Sequence, residues 1–149
     1  MAKFDMRNGS EYGLALSATL SGATPAAGDW IDMQGWQAVT FSVSTGTVTD
    51  AGTASGFAFE VQESDTTAAA AATAVADADL IGLESALTVT SDDADNDFIG
   101  TIGYRGDKRY VRIVATGTTG TNAVVTVHAR KDHGSFMKGA TIDAGTAAT

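Results

Sequence analysis

The side chains best suited to binding a metal ion lie in one acidic segment. Five of them offer oxygen ligands close together in sequence: Asp92, Asp93, Asp95, Asn96 and Asp97. Alternating oxygen ligands are typical of calcium loops. An EF-hand loop starting at Asp93 would need glycine where Phe98 stands and a bidentate glutamate where Tyr104 stands. The segment therefore predicts a solvated turn between strands.

The remaining metal-ligand residues are few. His128 and His133 are the only histidines, and their five-residue separation does not match a helical zinc pair. The chain contains no cysteine, which excludes disulfides and thiolate metal sites. We predict that the protein binds no cofactor and no metal.

Residues that could act in catalysis occur without a recognisable arrangement. No serine stands in a G-x-S-x-G elbow or a related signature. Glu60 and Glu63 could act as an acid/base pair on a glycosidic bond, but a chain with 18 acidic residues contains such pairs by chance. The sequence therefore predicts that the protein is not an enzyme.

Two further features suggest binding rather than catalysis. Trp30 and Trp36 could form a platform on which sugars stack, although two tryptophans flanking a strand also serve as core and rim packing. Arg105-Gly106-Asp107 spells the tripeptide that integrins recognise, but a tight turn at this place also requires the glycine.

The net charge of −9 disfavours nucleic acid as a partner. Six of the nine basic residues nevertheless lie in the C-terminal part of the chain: Arg105, Lys108, Arg109, Arg112, Arg130 and Lys131. Because residues 9–104 contain no Lys or Arg, the domain is expected to be electrostatically polarised, which suits docking on a larger protein assembly. Solvation of exposed strand faces explains the same charges equally simply.

Membrane association is not expected, because no apolar run approaches the roughly 20 residues of a spanning helix. The first residues also lack the apolar core of a signal peptide, so we expect synthesis in a cytoplasm.

The stretch 98–130 has the clearest strand pattern. It predicts three consecutive antiparallel strands, a β-meander, with Gly106-Asp107 as a two-residue turn in which the glycine has positive φ. This turn would place Tyr104 opposite Arg109 and Ile102 opposite Val111. One face of the meander is apolar, as in a sheet that packs on one side.

Residues 37–45 and 56–63 also alternate, and they predict two half-buried neighbouring strands. Residues 64–78, rich in alanine, predict a loop with one helical turn. About eight short strands separated by turns indicate an all-β fold, a single antiparallel β-sandwich or jelly-roll-like domain. We predict an N-terminal arm over 1–11, the sandwich over 12–133 and a flexible C-terminal tail over 134–149.

Two segments resemble a known family. They are similar to the small capsid decoration (cement) proteins of tailed bacteriophages. The segments are ADLIG at residues 78–82 and IGYRGDKRYVRIVATGTTGTNAVVTVHA at 102–129, and the similarity is most specific at Tyr104–Arg112. The resemblance implies a virion protein without catalytic residues. It further implies a homotrimer on the outer surface of an expanded capsid that bridges major capsid proteins. The tail over 134–149 departs from the family pattern.

Partner-binding residues are predicted in three places: the two terminal segments, where apolar residues are stranded among polar or low-complexity sequence, and the basic strand ends. The residues are Phe4, Met6 and Arg7 in the N-terminal arm, Arg105, Arg109 and Arg112 at the strand ends, and Phe136 and Met137 in the tail. The alternative function is a carbohydrate-binding or adhesion sandwich on a virion fibre or a cell surface.

Overall fold

Ten antiparallel strands form two sheets in a computed structural model that describes residues 9–90 and 99–134. The strands are β1 (Ser10–Ser21), β2 (Ala26–Ala27), β3 (Ile31–Asp32), β4 (Ala38–Asp50), β5 (Ala58–Ser64), β6 (Thr73–Ala74), β7 (Leu80–Ile81), β8 (Ile99–Tyr104), β9 (Tyr110–Thr116) and β10 (Asn122–Asp132). Three short 3-10 turns, at Ala69–Ala71, Asp77–Asp79 and Glu84–Leu87, complete the described secondary structure.

The strands divide into a first sheet with the order β1-β10-β4-β8-β7 and a second sheet with the order β2-β9-β5-β6, to which β3 is added beside β9. The pairing is nested along the chain. The first strand pairs with the last, β2 and β3 pair with β9, β4 pairs with β8, and β5 pairs with β6. The chain is therefore a long antiparallel hairpin folded over a common core, and the all-β sandwich predicted from the sequence is confirmed.

The core lies between the sheets and is built by strict alternation of side chains. Val39, Phe41 and Val43 of β4 are at most 1% exposed, while the residues between them face solvent in part. Phe57 and Phe59, in and beside β5, meet edge to face with ring centroids 6.1 Å apart. The half-buried strands predicted over 37–45 and 56–63 are thus confirmed, but they are not neighbours, because β4 and β5 belong to different sheets.

The predicted β-meander is wrong. Tyr104 of β8 pairs with Val39 of β4, whereas Val111 of β9 pairs with Glu63 of β5, so the chain crosses between the sheets at residues 105–109. The apolar faces of β8 and β9 both contribute to the core, but they do so from different sheets. Alternation identifies a buried face, and it does not say which strand supplies the hydrogen bonds.

Gly106 consequently has a different role from the one predicted. It is not among the glycines with positive φ. A Cβ at this position would lie 2.6 Å from the Tyr104 ring, so the absence of a side chain lets the crossover pass over that ring. The predicted contact of Arg109 with Tyr104 is also wrong, since the Arg109 guanidinium lies over Tyr110, 5.0 Å from the ring centroid.

The bounds of the sandwich differ slightly from the prediction. β1 begins at Ser10, two residues inside the predicted N-terminal arm, and β10 ends at Asp132. The predicted helical turn in the alanine-rich segment is a 3-10 turn at Ala69–Ala71. Residues 1–8, 91–98 and 135–149 lie outside the described residues, so both arms and the acidic Asp92–Asp97 segment stay predictions. No helix among residues 9–90 and 99–134 is long and apolar enough to cross a membrane.

Candidate interaction surface

One end of the sandwich gathers the six basic residues that the structure describes. β8 ends there and β9 begins there, so the crossover 105–109 supplies Arg105, Lys108 and Arg109. β10 ends beside the start of β4, since Asp132 pairs with Ala38, and this adds the last basic residues of that strand. The clustering predicted from the sequence therefore results from the nested strand order.

Most of these cations are held in ion pairs. Four pairs are present: Lys108 with Asp65 at 2.6 Å, Arg109 with Asp32 at 3.0 Å, Arg130 with Asp132 at 3.0 Å and Lys131 with Glu11 at 3.2 Å. The Arg109 guanidinium donates from two nitrogens to both oxygens of Asp32. This bond is the main cause that lowers the pKa of Asp32. The end of the sandwich thus carries both charge signs in fixed pairs.

Four cations also lie over aromatic rings, and two of these rings are the tryptophans. The Arg112 guanidinium lies 4.4 Å from the Trp30 ring centroid, and the Lys131 ammonium lies 5.2 Å from that of Trp36. Arg112 additionally donates two hydrogen bonds to Gln62 Oε1, at 2.9 and 3.0 Å. One face of each half-buried tryptophan is therefore occupied by a cation of the same chain.

The crossover itself is fixed by a buried tyrosine. The Tyr104 hydroxyl donates to Glu63 Oε2 at 2.8 Å and accepts from the Lys108 N–H at 3.0 Å. Burial, with the Glu63 hydrogen bond adding to it, raises the pKa of Tyr104, so the hydroxyl stays protonated and keeps donating. The guanidinium of Arg105, at the start of the crossover, donates to the Ala78 carbonyl at 3.1 Å.

A groove of about 540 Å³ lies between this crossover and the turn that joins β3 to β4. Its lining residues are Met33, Gln34, Trp36, Gln37, Arg105, Gly106, Asp107, Lys108 and Arg109. A smaller depression of about 200 Å³, which includes Trp30, lies at the same end between the two sheets. The two tryptophans line different depressions, so they do not form one shared platform.

The residues considered for catalysis and metal binding are separated by the fold. Glu60 and Glu63 lie an odd number of residues apart on β5, so their side chains point to opposite faces of the sheet. His128 is exposed on β10. Within the described part of the chain, no group of three His, Cys, Asp or Glu side chains is arranged as a metal site.

The predicted partner-binding residues fall into two sets. Arg105, Arg109 and Arg112 lie at the same end of the sandwich, and each is engaged by groups of its own chain. Their role in partner binding stays a prediction. The second set lies outside the described residues, and its role in partner binding also stays a prediction: Phe4, Met6, Arg7, Phe136 and Met137.

Sequence reasoning missed a set of exposed apolar residues on the first sheet, of which Tyr12 and Leu14 are examples at 62% and 54% exposed. Continuous alternation along β1 would bury both, together with Leu16 and Leu20. A β-bulge at Ala15 interrupts the pairing, with Leu14 opposite His128 and Leu16 opposite Val127. The bulge turns the first half of β1 outward, and nothing in the local pattern marks it.

Comparisons with known proteins add no family to this description. A comparison with protein-family models found no matching family, and a comparison with curated proteins found no matching relative.

Proposed function

We propose that this chain is a structural virion protein that binds the outer surface of an expanded phage capsid and stabilises it by bridging major capsid subunits. It is made in the host cytoplasm, acts as a homotrimer, and has no enzymatic activity. A ligand that binds only the expanded lattice stabilises that state by linkage, so such a protein needs no chemistry.

The observation that supports this proposal is the nested strand pairing. Pairing of the first strand with the last, around successively inner pairs, is the winding expected of a jelly roll, the finer fold that we propose. Jelly rolls are common in viral capsid and lectin domains. The same pairing brings Ser10 and Asp132 together, so the described chain begins and ends at one corner of the sandwich, from which the proposed arms would extend. Two adjacent arms can extend over two neighbouring capsid subunits.

The arms are the proposed contacts, through Phe4, Met6 and Arg7 on one side and Phe136 and Met137 on the other. Burying one such apolar side chain against a neighbour contributes about 1.5–3 kcal/mol, so a few of them decide whether the protein stays bound. The basic set Arg105, Arg109 and Arg112 is proposed as a secondary contact, because its members already have partners within the chain.

Binding to expanded and unexpanded heads of the phage that encodes this chain tests the proposal. Full-length protein should decorate only expanded heads in negative-stain images. Deleting Met1–Asn8, or Phe136–Thr149, should weaken decoration while leaving the melting temperature nearly unchanged. A deletion of Thr141–Thr149 keeps Phe136 and Met137 and serves as the matched control. Failure of the full-length protein to bind expanded heads would refute the capsid role.

The groove beside the crossover favours a second candidate function, carbohydrate binding. It combines the half-buried Trp36 ring with the amides of Gln34 and Gln37, and such groups stack on sugars and hydrogen-bond their hydroxyls. A glycan array with the full chain tests this function. Binding that is lost in Trp36→Ala and kept in Trp30→Ala would support it, and an array without signal would exclude it.

A further inference from the structure

The two ends of the described chain meet at one end of the β1–β10 ladder. Three residue pairs form this end, and we call them the terminal pairs: Ser10 with Asp132, Glu11 with Lys131, and Tyr12 with Arg130. Strands at the ends of a domain are ordered only where further contacts tie them down. The side chains of the terminal pairs supply such contacts on both faces of the sheet.

On the outer face of the first sheet, the Arg130 guanidinium joins both strands. Its Nε and Nη2 atoms lie 3.1 and 3.0 Å from Asp132 Oδ1, and both donate to Ser10 Oγ, at 3.3 and 3.1 Å. The Ser10 hydroxyl donates to the same Asp132 oxygen at 2.5 Å. The guanidinium also lies over the Tyr12 ring, 5.6 Å from its centroid. One arginine of β10 therefore contacts two residues of β1 and one of its own strand.

This network is shielded from water better than the other ion pairs of the basic end. The side chains of Arg130 and Asp132 are 31% and 23% exposed, whereas those of Arg109 and Asp32 are 49% and 43% exposed. Single exposed ion pairs contribute little to stability, and networks with good geometry are the exception. The contacts of Arg130 meet this condition, because charge, hydroxyl and ring converge on one guanidinium.

On the inner face, Lys131 fastens the same pairs. Its ammonium pairs with Glu11 Oε1 at 3.2 Å and donates to the Asp32 carbonyl, also at 3.2 Å. It lies 5.2 Å from the centroid of the Trp36 ring, and its side chain is only 13% exposed. Because Asp32 belongs to β3, this lysine also ties the terminal pairs to the second sheet.

The opposite end of the ladder is held in another way. There Leu20 pairs with Ala123, and both side chains are fully buried in the core. Burial of apolar side chains keeps that end closed, whereas polar side chains on both faces keep the terminal pairs closed. The two ends can therefore be weakened separately.

We propose that Arg130 is a positioning residue that holds the outer ends of β1 and β10 together, so that Ser10 and Asp132 form one fixed point of departure for the chain. Paired Cα atoms are about 5 Å apart. Opening of the terminal pairs would release three residues on each strand, about 20 Å of extended chain in total. A partner that binds the chain on both sides of the sandwich domain meets it at the spacing of a single strand pair. The use of this fixed point on a capsid rests on the function proposed above, whereas the fixed point itself is a property of the free chain.

Distances between spin labels in the free protein test the proposal. The chain contains no cysteine, so Gly9→Cys and His133→Cys, just outside the last pair, can carry the labels. The labelled protein should give one narrow distance distribution. Arg130→Met should broaden this distribution and extend it by up to about 20 Å. Arg112→Met should leave it unchanged and is the matched control, since Arg112 also stacks on a ring and donates two hydrogen bonds but lies on β9.

Amide hydrogen exchange, measured well below the melting temperature, separates a local from a global effect. In Arg130→Met the amides of the terminal pairs should exchange about tenfold faster or more, because charged hydrogen bonds no longer oppose local opening. Amides around Leu20 and Ala123 should keep their wild-type rates. Arg130→Lys keeps the charge and cannot donate from two nitrogens, so it should behave like Arg130→Met.

Three results would overturn the proposal. Unchanged label distances and exchange rates in Arg130→Met would show that the backbone ladder alone holds the strand ends. Faster exchange at both ends of the ladder would show that Arg130 stabilises the whole domain and positions neither end. Wild-type behaviour of Arg130→Lys would exclude the two-nitrogen contacts as the cause. All measurements use the free protein, so each result is independent of whether the protein binds capsids.

Discussion

Tyr104 fixes the crossover between the sheets through its hydroxyl and its ring. Its hydroxyl bridges Glu63 and the Lys108 N–H, and its ring lies under Gly106. A buried phenol is well tolerated only when its hydroxyl finds partners. Here the partners come from β5 of the second sheet and from the crossover itself, so one side chain of the first sheet fixes the path of the chain into the second.

Replacing Gly106 by alanine should therefore destabilise the protein by about 1–3 kcal/mol, because the new methyl group overlaps the Tyr104 ring. The free energy of unfolding in urea measures this effect. Gly13→Ala is the matched control, since a Cβ at Gly13 meets no atom within 4 Å. Equal stability of the two variants would show that the crossover does not pass over the ring.

Glu84 makes a contribution to stability that is lost as the pH rises. The carboxylate of an ion pair behaves in the opposite way, since its contribution is lost as the pH falls. Its Oε1 accepts from the Val61 N–H at 2.6 Å, but desolvation, followed by repulsion from Glu60 and Asp77, raises its pKa above 4.5. A raised pKa means that the folded protein holds the proton more tightly than the unfolded chain. This contribution to stability is complete below pH 4.5 and is lost as pH rises through the folded-state value.

Glu84→Gln should consequently be more stable than the wild type at pH 7, since glutamine keeps the acceptor for Val61 and removes the charge. Its advantage should shrink toward zero as the pH is lowered to 4.5. Melting temperatures across this range measure it. Asp107→Asn removes one charge from an exposed position and controls for net charge. An advantage of Glu84→Gln that is independent of pH would contradict the assignment.

At the scale of strands, the sequence was sufficient to predict which face of a strand is buried. It was insufficient to predict which strands pair with each other. The buried faces of β4 and β5 were predictable because Val39, Phe41 and Val43, like Phe57, Phe59 and Val61, alternate strictly. The partners of β8 and β9 were not, since nested pairing joins residues far apart in sequence. The basic cluster was likewise visible in the sequence, whereas its partners Asp32, Asp65 and Trp30 come from other strands and loops.

Gly28 connects the two sheets at a point where no side chain fits. Its N–H donates to the Ile113 carbonyl, and the next N–H, of Asp29, donates to the carbonyl of the bulge residue Ala15, both at 2.8 Å. A Cβ at Gly28 would lie 2.5 Å from the Ala15 oxygen and 2.8 Å from the Ile113 oxygen. The bulge on β1 and the edge of the second sheet are thereby held together.

Gly28→Ala should cost about 2–3 kcal/mol, because two backbone carbonyls on opposite sheets must separate to admit the methyl group. Chemical denaturation gives the value. Gly46→Ala is the strand control, since its nearest contact, with the Val124 side chain at 3.4 Å, is of ordinary length. A loss no larger than that of the control would mean that β1 and β9 are joined less tightly than described.

At the scale of the whole molecule, the distribution of charge follows the topology. The basic residues collect where β8 and β10 end, and their acidic partners collect with them. The polarity predicted from the sequence is therefore reduced at the basic end by ion pairing.

The adjacency of Ser10 and Asp132 also determines how the domain responds to mechanical load. The ladder hydrogen bonds of antiparallel strands lie across the strand direction. Tension applied through both arms pulls β1 and β10 apart from the same end and breaks these bonds one after another, as a zipper opens. Loading through residues at opposite ends of the two strands would instead require many bonds to break together.

Single-molecule pulling through the two termini should therefore unfold the domain at a much lower force than pulling through cysteines introduced at Ser10 and Asn122, which lie at opposite ends of the β1–β10 ladder. Equal forces would contradict this geometry. If the two arms are the capsid contacts, as proposed, a subunit on an expanding shell would be loaded in the direction in which the β1–β10 ladder opens most easily.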